Sequence, residues 1–274
     1  MLRNFPLQPL ICYLLVVTGG SGCALLEEEG RSTTAENPLP PIVAPRDAVE
    51  LEVFVVDRTV GDPLLGAALW NSLHELSSTP PQIRHSLEMH GIQLAMSPSR
   101  PPQTVQALLA LSGGQDPTRC TYMNTYVLPA NQPIPLPVTV MEPEASLRLP
   151  ADPGQPLVLK HGHGLLQVQA SKVEEGWARV EVTPMIQHGA DVPRYRATAE
   201  EWVVDQGQQA IMLYDQRFTA ELNEGELLVV GYTGGQPESV GERFFRGEWK
   251  SIPIERLVII RLRGMHRIDP VRSN

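Results

Sequence analysis

Two histidines one residue apart, in His161-Gly162-His163-Gly164, form the most conspicuous polar cluster of the chain. On a strand, residues two apart share a face, so both imidazoles could meet one metal ion. A metal site needs further ligands, and His188 and Asp191 are the candidates to supply them. The competing reading is a glycine-rich turn with two exposed histidines. The sequence favours that one, because it shows neither the ligand count nor the geometry a metal requires. No metal or cofactor is therefore expected. Adjacent carboxylates at Glu174-Glu175 and Glu200-Glu201 read as solvated. A glycosidase would need two carboxylates held across a cleft. No phosphate-binding loop of the Gly-x-x-x-x-Gly-Lys type is present, and no strand is followed by Gly-x-Gly-x-x-Gly.

A second polar group lies near the end of the chain. Arg261 and Arg263 share one strand face, with Arg267 and Arg272 beyond. Such a row could dock an acidic partner, although a solvated strand face is the simpler reading. The net charge is −9, with 22 basic and 31 acidic residues. Nucleic acid needs a dense basic footprint and is excluded as a partner. Trp70, Trp177, Trp202 and Trp249 do not cluster and read as core or partly buried surface rather than a stacking platform.

The N-terminus carries the clearest signal. Arg3 precedes an apolar run from Leu10 to Val17, followed by Thr18-Gly19-Gly20-Ser21-Gly22-Cys23. The run is shorter than the roughly 20 residues that span a bilayer but suits a signal peptide. Gly20-Ser21-Gly22 therefore belongs to a segment that is removed, and is no nucleophile elbow. Small residues immediately before a cysteine resemble the lipobox of bacterial lipoproteins, with Gly20 where that family usually carries Leu. The resemblance implies that residues 1–22 are cleaved and Cys23 becomes the lipidated first residue. With Ala24 next, it further implies outer-membrane retention facing the periplasm. The alternative is ordinary secretion with an incidental cysteine. Of three cysteines, only Cys120 then remains in the folded body, so no internal disulfide forms. Cys120 reads as a small buried hydrophobe.

Residues 23–47 are acidic and then proline-rich, with Glu27-Glu28-Glu29 followed by Pro38, Pro40, Pro41 and Pro45. This composition predicts an extended tether reaching tens of ångströms, at roughly 3 Å per residue. An α+β body follows, in two parts. Residues 48–115 predict a small α/β domain. It opens with a covered strand over Val49–Asp57, followed by a helix capped at Asp62-Pro63 with Leu65, Leu69, Leu73 and Leu76 on one face. A second helix starts at Pro80-Pro81 and stops at Gly91, a strand runs Ile92–Met96, and a third helix opens at Pro101-Pro102 and ends at Gly113-Gly114. Residues 121–265 predict a mainly antiparallel β domain. Val180 and Val182 alternate with Arg179, Glu181 and Thr183, and Phe218, Ala220 and Leu222 alternate with Arg217, Thr219 and Glu221.

Four segments of this second part resemble the C-terminal β domain of secretins, the outer-membrane rings of bacterial secretion systems. They are Val180–Ile186, Asn223–Gly231, Val240–Phe245 and Arg256–Arg263. No extra pair of roughly 10-residue alternating segments such as line a membrane channel is legible in the sequence, and between Gly231 and Phe244 there are only Tyr232–Ser239 and a few further residues. The resemblance therefore implies a β scaffold rather than a pore. Together these readings predict a membrane-anchored, non-enzymatic envelope protein that binds another envelope component. The alternative is a periplasmic hydrolase with a scattered or metal-assisted site.

Overall fold

The computed structural model describes residues 46–110, 116, 118–149, 152–197 and 202–268. Cys23, nearly all of the tether, Gly113-Gly114 and Arg272 lie outside the described residues. Strand β1 (Arg46–Thr59) is followed by a 3-10 turn at Pro63–Leu65, helix α1 (Ala67–Trp70) and helix α2 (Pro81–Met89). Strand β2 (Ile92–Ser97) and helix α3 (Gln103–Ala110) come next. A run of strands follows: β3 (Cys120–Pro129), β4 (Ile134–Val140), β5 (Glu144–Leu149), β6 (Asp152–Lys160), β7 (His163–Glu174) and β8 (Trp177–Ala197). Strands β9 (Trp202–Met212), β10 (Phe218–Asn223) and β11 (Leu227–Tyr232) lead to helix α4 (Val240–Phe245). The hairpin of β12 (Arg246–Trp249) and β13 (Ile252–Ile268) closes the described chain.

The fold is α+β and mainly antiparallel. One sheet runs β2-β11-β13-β1-β3, with β12 also on β13; a second runs β10-β8-β7-β4, with β9 also on β8; β5 and β6 pair separately. The part expected as an α/β domain and the part expected as a β domain share the first sheet. β1 lies between β13 and β3, and β2 pairs with β11. Residues 44–274 accordingly form one compact unit, so the division expected between 115 and 121 is corrected. The chain must cross it to complete the sheet.

Burial follows the pleat. On one face of the first sheet, Leu51, Val53, Val258 and Ile260 join Leu166, Val168, Val180 and Val182 of the second sheet in the main core. On its other face, Phe54, Val56, Val229 and Ile259 pack against Leu65, Leu69, Val105 and Leu108 from the helical segments. β1 is covered on both sides, which its nearly unbroken apolar run requires.

Three local expectations change. The leucine stripe after Asp62 is not one helix: Gly66 is extended (φ −77°, ψ −168°) and interrupts it, leaving a 3-10 turn and one four-residue helix. The sequence from Gln209 to Leu222 also reads as one strand, but a 3-10 turn at Tyr214–Gln216 separates β9 from β10. Finally, a long hairpin does exist, formed by β8 and β9. Its paired arms run from Met185 opposite Met212 to Ala197 opposite Trp202. It lies outside the stretch between Gly231 and Phe244.

Candidate functional site

The His-Gly-His-Gly motif is explained by packing. His161 takes a left-handed turn (φ 52°), and its N–H donates to the Pro143 carbonyl at 3.0 Å. Gly162 and Gly164 are both buried; a Cβ on Gly162 would sit 2.9 Å from Met141 Sδ, and one on Gly164 2.9 Å from Thr139 Cγ2. Thr139 of β4 leaves no room for a side chain at Gly164, and one at Gly162 would have to displace the Met141 thioether. His163 pairs across the sheet with Gln187, so His188, the next residue, faces the opposite side. Asp191 lies in an irregular, exposed stretch of β8 between the paired residues His188 and Val192. The proposed ligands do not converge, and no group of three or more His, Cys, Asp or Glu among the described residues could hold a metal ion.

Arg261 and Arg263 do share a face, but their charge is answered internally. Both guanidinium groups bind the carboxylate of Glu52, which is 3% exposed. Arg263 also stands 3.4 Å from Glu50, and Arg267 3.9 Å from Asp47. Burial pushes the Glu52 carboxyl up, but the two arginines outweigh it and hold the group below its ordinary range. The arginine row, for which the sequence favours a solvated strand face over docking, is thus an ion-pair ladder across β1 and β13.

A groove between the two sheets is the better candidate, and a β-bulge builds one wall of it. In β4, Leu136 and Val138 point inward, the pairing with β7 shifts between Pro137 and Thr139, and Thr139 also points inward. The irregularity inverts the alternation and turns Val140 outward, where it is 74% exposed. Val140 then sits beside His163 in the register, and His163 beside Gln187. Opposite stands the β12–β13 hairpin. Its two-residue loop, Lys250-Ser251, has positive φ at both positions (46° and 67°), although neither residue is Gly or Asn. That loop presents Trp249 and Ile252, each 43% exposed, as a cross-strand pair. Tyr122, on the edge strand β3, is 55% exposed.

The floor is an ion pair. Arg256 on β13 donates from Nε and Nη2 to the two carboxylate oxygens of Asp57 on β1, at 2.6 and 2.7 Å. Its Nη1 reaches the Val138 carbonyl of the second sheet. Nearby, a hydrogen bond to the Cys120 thiol holds the Tyr122 hydroxyl above its usual range. Cys120 itself is 2% exposed, as expected for a small buried hydrophobe. This hollow has a volume of about 450 Å³. It adjoins a second of about 620 Å³, and the two share Thr139, Val140, Gly247 and Glu248 as lining. Pro135 and Pro137 are the sequence feature that marks β4 as an irregular edge strand. Nothing local in the sequence announces the pairing of Asp57 with Arg256, which are separated by 199 positions.

No protein-family model matches the chain, and no curated protein is similar to it. Among solved structures, the chain is similar to one in the cryo-EM structure of an ETEC pilotin–secretin complex, AspS–GspD. That likeness has 10% identity and a TM-score of 0.26, covering 82% of this chain and 50% of the other. The chain thus spans half the length of that neighbour. At this score the likeness carries no argument about role.

Proposed function

We propose that this chain is an exported envelope protein, anchored by lipid on Cys23, whose β body is a non-catalytic binding module. The anchoring half rests on the sequence alone: the apolar run, the small residues and Cys23 in the lipobox-like position. The binding half rests on one observation, the outward Val140, Tyr122 and Trp249 around a groove floored by a fixed ion pair. Exposed apolar side chains gathered at one concavity are the usual mark of an interaction site. Neither Asp57 nor Arg256 is free for acid–base work, since each is held by the other. β1 runs from Arg46, next to the tether, to the groove at Asp57, so the groove lies roughly 35 Å from the point where the strand begins.

Intact-mass analysis of the membrane-extracted protein tests the anchor. A mature chain beginning at diacylated Cys23 is expected, and an unmodified chain beginning elsewhere ends that half of the reading. Crosslinking in the native membrane tests the other half. A stoichiometric protein partner is expected for the wild type and not for Trp249→Ala.

A further inference from the structure

We infer that the groove takes an extended polypeptide segment, laid along β12, that carries an apolar side chain flanked by Lys or Arg. This rests on the reading of the body as a binding module, though not on the lipid at Cys23. Among the described residues β12 pairs only with β13, and β4 only with β7, so each strand has one edge without a strand partner there. Residues of both strands line the groove. Unpaired edges are templates for strand addition, in which backbone hydrogen bonds supply affinity and alternate side chains supply specificity. The strained Lys250-Ser251 loop keeps Trp249 and Ile252 partly exposed where such a strand would meet them.

The charge of the groove selects the flanking residues. Arg256 is neutralised by Asp57, Arg246 pairs with Glu255 at 3.4 Å, and Glu238 pairs with Arg148 at 3.1 Å. Arg243 donates to the Ser146 carbonyl, and the Glu242 carboxylate accepts from the Glu238 N–H at 2.6 Å. Glu142 and Glu248 remain exposed, with no ion pair or hydrogen bond of their side chains among the described residues. With Glu242 set against Arg243, and with Lys250 counted because its ammonium stands 5.9 Å over the Trp249 ring, the surplus is one acidic charge. A second copy of this chain is a poor occupant, because the protein as a whole carries −9 and would bring its own acidic groove.

Fluorescence anisotropy of the detergent-extracted full-length protein tests this with two labelled, end-capped peptides, Gly-Lys-Val-Lys-Val-Lys-Gly and its Glu-for-Lys counterpart. The Lys peptide is expected to bind about tenfold tighter than the Glu peptide, with the difference shrinking in high salt. Trp249→Ala should weaken it about fivefold or more, as loss of an aromatic anchor does. Glu142→Lys with Glu248→Lys should invert the preference. Hydrogen exchange should slow at the backbone amide of Glu248, which points away from β13, when the Lys peptide binds. All three substituted residues are solvent-facing, and an unchanged melting temperature verifies that each variant folds. Equal affinity for the two peptides overturns the proposal. So does Lys-peptide binding that ignores both variants, or no binding of either peptide up to about 1 mM. If no peptide binds yet Trp249→Ala loses a crosslinked envelope partner, the binding module stands and the extended basic ligand falls.

Discussion

Asp57 and Arg256 face each other across neighbouring strands in a two-pronged ion pair, and the third guanidinium nitrogen ties the pair to the Val138 carbonyl of the other sheet. The side chains are 7% and 18% exposed, so breaking the pair strands a largely desolvated charge. Asp57→Ala is expected to lower unfolding stability by about 3 kcal/mol. Urea denaturation measures it. Arg179→Ala, which breaks a half-exposed pair with Glu221, should cost less than about 1 kcal/mol in the same assay.

Gly241 packs backbone to backbone against the turn after α2. Its N–H donates to the His90 carbonyl at 2.8 Å, and an added Cβ would lie 2.1 Å from the Gly91 carbonyl oxygen. No flexible side chain is there to give way, so Gly241→Ala should cost about 2–3 kcal/mol by overpacking. Gly247→Ala is the control: its Cβ would meet nothing nearer than 3.8 Å. Thermal melts of the two variants should differ clearly, and equal melts would contradict the close approach.

The Lys250-Ser251 loop holds two non-glycine residues at positive φ. Replacing the pair by Asn-Gly suits the conformation and should stabilise by about 1 kcal/mol, raising Tm by about 2–4 °C. Calorimetry reads this directly. A lower Tm would mean that the loop is not strained.

Two carboxylates, the buried Glu52 and the half-buried Glu255, respond to acid in opposite directions. The arginines around Glu52 hold its pKa below 4.5, so its contribution is present above the unfolded value and lost as pH falls through the folded one. Burial raises Glu255 above 4.5, outweighing Arg246, so its protonated form favours the folded state as pH falls. Stability followed by urea titration from neutral pH to about pH 3 should therefore decline less steeply in Glu52→Gln and more steeply in Glu255→Gln. Identical slopes would refute this assignment.

Sequence patterns were informative wherever one face of a strand meets water. Phe218, Ala220 and Leu222 pair with Val182, Val180 and Ala178, and all six are buried. Their outward neighbours form the ion pairs Arg179–Glu221 and Arg217–Glu181. Turn chemistry was equally clear, as at Pro81 opening α2 and at Gly91 (φ 81°) ending it. No apolar alternation marks the outer arms of the β8–β9 hairpin, because Ala190, Asp191, Val192 and Pro193 are all exposed. The groove is illegible in the sequence for another reason. It depends on one bulge that inverts Val140, and on β1 meeting β13, and neither can be read from a local window.

Because β1 finds its place only between β3 and β13, the opening strand has no complete sheet to join until the closing one is available. Such distant partners fold slowly, since most of the chain must be confined before the first strand gains its neighbours. The second sheet can pair beforehand, since β4, β7, β8, β9 and β10 all lie between Ile134 and Asn223. The first sheet closes last, once the strand ending at Ile268 lies beside β1.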